Sequence, residues 1–217
     1  DDGNACTMND TCRSGQCVSQ VTFAQSAGSP HAVGSGPTSI VIGDFNLDGH
    51  PDMAVANGGS SDVTILLGNG TGGLAEAVGS PVSVSAAPSS ITIGDFNVDG
   101  KPDLAVVLPV MQGVAILLGD GSGRFAEAAG SPVRAGYPGT IVAADFNLDA
   151  KPDLAVVNTS SDSVTILLGD GFGRFTEAEG SPVDVGSNPN SMAIADMNLD
   201  GKPDLVTVNN LSYDVTI

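Results

Sequence analysis

Tryptophan is absent from this chain of 217 residues, and aromatic residues make up only 4% of it. Basic residues are scarce too: seven Lys and Arg face 25 Asp and Glu, a formal charge of −18. So acidic a surface argues against nucleic acid and anionic membranes as partners, since both bind through a basic face. No apolar run approaches the roughly 18 residues that a membrane span needs, and nothing resembles a long amphipathic helix. A soluble protein with no membrane insertion is expected. Cysteine is confined to Cys6, Cys12 and Cys17, in a Gly/Asn/Asp-rich stretch. Such tight spacing suggests a small disulfide-stabilised segment over residues 1–20 and an oxidising compartment. Zinc is disfavoured, because the only histidines are the distant His31 and His50. Three is an odd number, so a partner for the third sulfur is expected upstream of residue 1 or on another chain. With no initiating Met and no signal peptide, a processed form or a fragment is expected.

What the chain does contain is punctuation and repetition. Its 29 Gly and 13 Pro separate short apolar runs in the manner of an all-β protein. The nonapeptide "DFNLDGHPD" (Asp44 to Asp52) returns as "DFNVDGKPD" (Asp95 to Asp103), "DFNLDAKPD" (Asp145 to Asp153) and "DMNLDGKPD" (Asp196 to Asp204). The first aspartates stand 51, 50 and 51 residues apart, and a period near 50 indicates propeller blades or an array. Each unit resolves into four strand-like segments: one leading into the acidic loop, one directly after it, "VTILL", and one beginning at Leu74, Phe125 or Phe175 and running through "GSPV". The runs are nearly continuously apolar, as strands covered on both faces are. Residues 21–33 match a fourth segment, with Phe23 in the place of Phe125, and "YDVTI" matches a third. The first strand would therefore complete the final blade. It can do so within one chain, closing a ring, or in the next molecule, building a head-to-tail filament.

The loop chemistry points to calcium. This ion takes about six to eight oxygens, and a short loop can supply most of them. Positions 1, 3 and 5 are Asp44, Asn46 and Asp48, with Asp95, Asn97 and Asp99, Asp145, Asn147 and Asp149, and Asp196, Asn198 and Asp200 in the later units. Position 7 adds a backbone carbonyl from His50, Lys101, Lys151 or Lys202, and position 9 closes the shell with Asp52, Asp103, Asp153 or Asp204. A strand follows where an EF-hand has its helix. The alternative is four polar turns in which Asp and Asn cap their own backbone, but the fourfold recurrence of the carboxylates favours about four bound ions. Position 6 is Gly49, Gly100 and Gly201 but Ala150 in the third unit. If that position needs positive φ, the third loop is strained.

The run "IGDFNxDGxPDLAV" followed by "VTILLGDGxGxF" resembles the FG-GAP or VCBS-type repeat of integrin α-subunit propellers and many secreted bacterial proteins. The likeness covers about residues 21 to 217. It implies a β-propeller of four-stranded antiparallel blades, calcium loops between first and second strands, and an extracellular role in adhesion or scaffolding. The leading "DGNxCTxxDxCxxGxC" resembles short cysteine modules of bacterial surface proteins, in which a further cysteine usually comes earlier.

No catalytic constellation is present. His50 takes a place held elsewhere by lysine, and the repeated aspartates recur identically rather than forming one asymmetric pocket. The expected function is a non-enzymatic structural or adhesive surface module, with itself or another extracellular protein as partner. A calcium-dependent lectin binding glycans is the alternative, disfavoured because Tyr137 and Tyr213 are the only candidates besides phenylalanine for stacking on a sugar. Sequons at Asn9, Asn69, Asn158 and Asn210 are candidate glycosylation sites, expected at the surface.

Overall fold

The computed structural model describes residues 10–13, 16–19, 25, 26 and 28–217. In the leading segment, β1 (Asp10–Arg13) and β2 (Gln16–Ser19) form an antiparallel hairpin whose register sets Cys12 opposite Cys17. Cys6, Asn9 and residues 21–24 lie outside the described residues.

Everything after residue 36 is built from one unit. Blade 1 pairs β3 (Pro37–Gly43), β4 (Asp52–Asn57) and β5 (Asp62–Gly68) antiparallel, in that order. Two short pieces, β6 (Leu74–Glu76) and β7 (Val82–Ser83), then share the far edge of β5. Blade 2 repeats this with β8 (Ser90–Gly94), β9 (Asp103–Leu108), β10 (Gly113–Gly119), β11 (Phe125–Glu127) and β12 (Val133–Arg134). Blade 3 does so with β13 (Pro138–Ala144), β14 (Asp153–Asn158), β15 (Ser163–Gly169), β16 (Phe175–Glu177) and β17 (Val183–Asp184). Blade 4 has β18 (Pro189–Ala195), β19 (Asp204–Asn209) and β20 (Asp214–Thr216).

The fourth strand is thus split where one continuous strand was expected. Proline has no N–H to give the ladder, and Pro81 follows Ser80 through a cis bond, as at the other three Ser-Pro steps. The serine fills the gap: Ser80 Oγ accepts the N–H of Ile65 and donates to Glu76. Ser131 and Ser181 do the same for Ile116 and Ile166.

Blades stack face to face. Strands β9 and β14 are buried at every residue, which explains their unbroken apolar runs. One core lies between blades 1 and 2, centred on Ala54, Val63, Ile65, Leu104, Val106 and Leu117. A second lies between blades 2 and 3, around Ala105, Val107, Ile116, Leu154, Val156 and Leu167. Each fully buried Val, Leu or Ile contributes roughly 1.5–3 kcal/mol. The core between blades 3 and 4 is smaller.

The first strands are innermost and touch in series, β3 to β8 to β13 to β18, and no comparable contact returns from β18 to β3. Among the described residues the fourth sheet keeps three strands, and β20 pairs only with β19. The N-terminal strand expected to complete it spans residues 21–33, of which 21–24 and 27 lie outside the described residues. Just after it, the Gly34 N–H donates to Thr64 Oγ1 (3.2 Å) and the Ser35 N–H to Ser60 Oγ (3.1 Å), as Gly186 and Ser187 donate to Thr216 and Ser212 in blade 4. Among the described residues the four blades form an open arc. No helix among the described residues is long and apolar enough to cross a membrane.

Candidate metal centre

Each acidic loop joins the first strand of a blade to its second, on one end of the arc. In loop 1 the Asp48 N–H donates to Asp44 Oδ1 (3.0 Å) and to Asn46 Oδ1 (3.1 Å). The Gly49 N–H donates to Asp44 Oδ2 (2.8 Å) and the His50 N–H to Asp48 Oδ1 (2.9 Å). Loops 2, 3 and 4 repeat these bonds on Asp95, Asn97 and Asp99, on Asp145, Asn147 and Asp149, and on Asp196, Asn198 and Asp200. The expected positions 1, 3 and 5 are therefore brought together, wound around the loop's own backbone donors.

Winding the chain this tightly requires left-handed backbone twice per loop. Position 6 has φ of 84°, 81° and 85° at Gly49, Gly100 and Gly201, and Ala150 is forced to 65°. Position 4, which drew no attention in the sequence, does the same with full side chains: Leu47, Val98, Leu148 and Leu199 have φ of 59°, 55°, 60° and 61°. A β-branched residue such as Val98 rarely accepts that conformation. The only sequence signal was that an apolar residue recurs there in all four units.

Position 9 has a structural role besides the ligation expected of it. Asp52 is fully buried, its Oδ2 accepting the Phe45 N–H (2.8 Å) and its Oδ1 the Gly68 N–H (2.7 Å) at the end of β5. Asp103 likewise accepts from Phe96, Asn97 and Gly119, and Asp153 from Phe146, Asn147 and Gly169. This carboxylate staples the loop to the third strand. Burial pushes the Asp103 carboxyl up to about 6 against those three donors, and the Asp99 carboxylate adds to the rise. Asp153 is raised for the same reasons, with Asp149 as the neighbouring charge.

In three loops position 7 places a side-chain nitrogen beside position 5. Lys101 Nζ lies 3.1 Å from Asp99 Oδ2, Lys151 Nζ 3.1 Å from Asp149 Oδ2, and His50 Nδ1 3.1 Å from Asp48 Oδ1. Partial burial raises Asp99, but the Lys101 ammonium and N–H outweigh it and hold the group below the usual carboxylate range.

These observations bear on a divalent cation. Each loop carboxylate has about four lone-pair sites and uses one or two, so oxygens remain for a hard ion. The repulsion of Asp99 on Asp103 and the ammonium drawn to position 5 both mark a local excess of negative charge. The donor set fits calcium in kind. Among the described residues no three His, Cys, Asp or Glu side chains already converge as ligands, so an ion would draw on the amide of position 3 and the carbonyl of position 7 as well.

The loops also join blades. The Phe45 carbonyl accepts the Gly123 N–H of blade 2 (2.9 Å), and the Phe96 carbonyl that of Gly173 in blade 3 (3.0 Å). Beside these bonds Phe45 meets Phe125 edge to face at 5.5 Å, and Phe96 meets Phe175 at 5.6 Å.

Two predictions arise here. Replacing Ala150→Gly should raise stability by about 1 kcal/mol, since a left-handed alanine costs roughly 1–2 kcal/mol and glycine returns part of that as chain entropy. At the three equivalent glycines a Cβ would touch nothing within 4 Å, so the effect is one of backbone alone. Urea unfolding measures it, and a less stable variant would refute the strain. Glycosylation is expected at Asn69 and Asn210, which are exposed, but not at Asn158. The structure corrects that candidate: Asn158 is 1% exposed and its Nδ2 donates to Thr165 Oγ1 at 2.7 Å. Peptide mapping of protein secreted by a glycosylating host, finding a glycan on Asn158, would contradict this.

A family model described as an FG-GAP-like repeat matches residues 44–106, 99–156 and 145–207. No curated protein matches the chain. Solved structures with a similar fold include the periplasmic gluconolactonase of Pseudomonas aeruginosa (18% identity, TM-score 0.55, covering 93% of this chain and 55% of that one). Another is a protein from Lactobacillus plantarum (17%, TM-score 0.55, covering 93% and 60%). A third is BBS1N, solved in complex with ARL6DN (15%, TM-score 0.56, covering 84% and 56%). The chain thus spans little more than half the length of these propellers. The repeat model reaches from the first loop to the last second strand, and the chain belongs to the FG-GAP-like repeat family.

Proposed function

We propose that the chain is a non-enzymatic, extracellular propeller module whose blades are locked together by calcium and whose surface serves structural or adhesive contacts. The observation that carries this reading is the double use of each loop. Position 2 of the loop gives the next blade a backbone carbonyl and an aromatic ring. The residues on either side are the candidate ligands, so whatever fixes the loop also fixes the angle between blades.

Asp44, Asn46, Asp48 and Asp52, with the His50 carbonyl, would hold the ion in loop 1, and their equivalents would do so in the other three. Calcium, when bound, would supply positive charge against carboxylates that now rely on N–H donors and a surface ammonium. Asp52 and its equivalents hold the loop on its blade from beneath. The lactonase named among the similar structures is too distant at 18% identity to lend an activity. A general base at His50 is unsupported, because lysine fills that place in the sister loops.

Equilibrium dialysis tests the reading. One calcium ion per intact loop is expected, with one fewer in Asp95→Ala, a variant that removes two acceptor oxygens but no core contact. No bound calcium would overturn it.

A further inference from the structure

We propose that the groove between blades 2 and 3, where β8 and β13 end, binds a small branched aliphatic carboxylate. This goes beyond the calcium reading and does not depend on it.

Blade 3 departs from the repeat at two places that open onto this one groove. The residue two before each acidic loop is Ile42, Ile93 or Ile194 in the other units but Ala143 here, and position 6 of the loop is glycine elsewhere but Ala150 here. Ala143 and Ala150 both line a groove of about 360 Å³, together with Ile93 and Gly94 of blade 2. A space of that size lies in the range of small-molecule sites, which are mostly apolar with a few polar groups that fix orientation.

The neighbouring junction shows what the groove lacks. Between blades 1 and 2, Ile93 reaches across to Gly43, where an added Cβ would collide with Ile93 Cδ1. Ala143 holds the place of Ile93 at the next junction, and its side chain ends at the methyl. At Gly94, the counterpart of Gly43, the atoms nearest an added Cβ all belong to Phe96 of the same blade. The junction of blades 2 and 3 therefore lacks the branched aliphatic plug that the chain itself supplies one junction earlier. A group of that shape is what the space accepts, and taking it out of water is favourable.

Ala150 points to the same use. Its φ of 65° is left-handed, a conformation that strains an alanine. At Gly49, Gly100 and Gly201 an added Cβ would meet nothing within 4 Å, so a methyl in this place gains no packing inside its loop. Strain that internal contacts do not offset is a mark of functional sites. What the methyl does is extend the apolar wall of the groove.

The sign of the ligand's charge comes from Lys151, which lines the groove too. Its Nζ uses one of three N–H donors on Asp149 Oδ2 at 3.1 Å, and its side chain is 40% exposed, so the other donors can reach a carboxylate. Asp145 also lines the groove, but both of its oxygens accept N–H groups of its own loop, from Asp149 and Ala150.

Titrating isovalerate into the full chain with isotope-labelled alanine methyls, followed by nuclear magnetic resonance, tests this. The methyls of Ala143, Ala144 and Ala150 should shift with a Kd in the millimolar range, and that of Ala54, in the core between blades 1 and 2, should not. Ala143→Ile, which restores the residue of the sister units, should weaken binding at least about tenfold without lowering the melting midpoint. Ala150→Gly should weaken it roughly threefold although it stabilises the fold. Lys151→Gln covers the case in which a filled groove distorts the junction. It should weaken isovalerate roughly threefold and leave the neutral isovaleramide unchanged. Acetylglycyl-isoleucine carries the same chemistry at a peptide end. Tighter binding of that peptide than of isovalerate would name a peptide C-terminus as the source, and weaker binding a free acid, and either order supports the site. No shift at the three methyls with either probe, tighter binding of the cation isoamylamine, or unchanged binding in both Ala143→Ile and Lys151→Gln would overturn the proposal. None of these results alters calcium binding by dialysis, so the two readings fail separately.

Discussion

Chelating calcium is expected to lower the melting midpoint on the order of 20 °C. An ion at a hundredfold excess over its Kd adds about 2.7 kcal/mol to the folded state per site. In a domain of 150–250 residues each kcal/mol moves the midpoint roughly 2–4 °C, and four loops act on one stack of blades. The stripped protein should still fold. Its loop carboxylates already accept N–H groups from Asp48, Gly49 and His50 and their equivalents, so the turns persist without an ion. What chelation removes is the counter-charge. Magnesium, which demands near-octahedral geometry at shorter distances, should restore less of the loss than calcium. Scanning calorimetry in chelator, in calcium and in magnesium measures all three states. A midpoint that does not move on chelation would refute the role given to the loops.

The repeat and the loops were legible because both are local. Four nonapeptides at constant spacing announce four turns, and short β-branched runs between glycines announce strands. The role of Asp52 was hidden for a physical reason. Its second partner, the Gly68 N–H, is 16 residues away, and only the pairing of β4 with β5 brings it within reach. A carboxylate in an acidic loop reads as a ligand, and its bond to a distant strand stays hidden until the strands are paired. Asn158 misled in the same way. It ends a second strand and satisfies the sequon rule, yet its amide turns inward to Thr165, as Asn57 and Asn209 turn to Thr64 and Thr216. Blade 2 departs from that network with Leu108 and Ala115, both fully buried, which shows the site to be part of the core. The arc itself was the hardest to foresee. Whether four blades close depends on the angle between neighbours, which no single unit encodes.

Phe96→Ala is expected to remove about 3–5 kcal/mol of stability, the loss typical of a fully buried aromatic truncated to alanine. The ring is 1% exposed and packs edge to face on Phe175 with an interplanar angle of 74°. The backbone bonds at this residue, from its N–H to Asp103 and from Gly173 to its carbonyl, do not involve the side chain and survive the change. The measurement therefore isolates the ring that plugs the junction of blades 2 and 3. Phe175→Ala and the double variant complete a cycle, with a coupling of about 0.5–1.5 kcal/mol expected for an aromatic pair. Phe146 supplies the control. It holds the same place in loop 3, but among the described residues no phenylalanine pairs with it, and it lines an open groove. In dilute protein Phe146→Ala should lose no more than about half as much. Equal losses at the two positions would show that the aromatic pair is not what seals a junction.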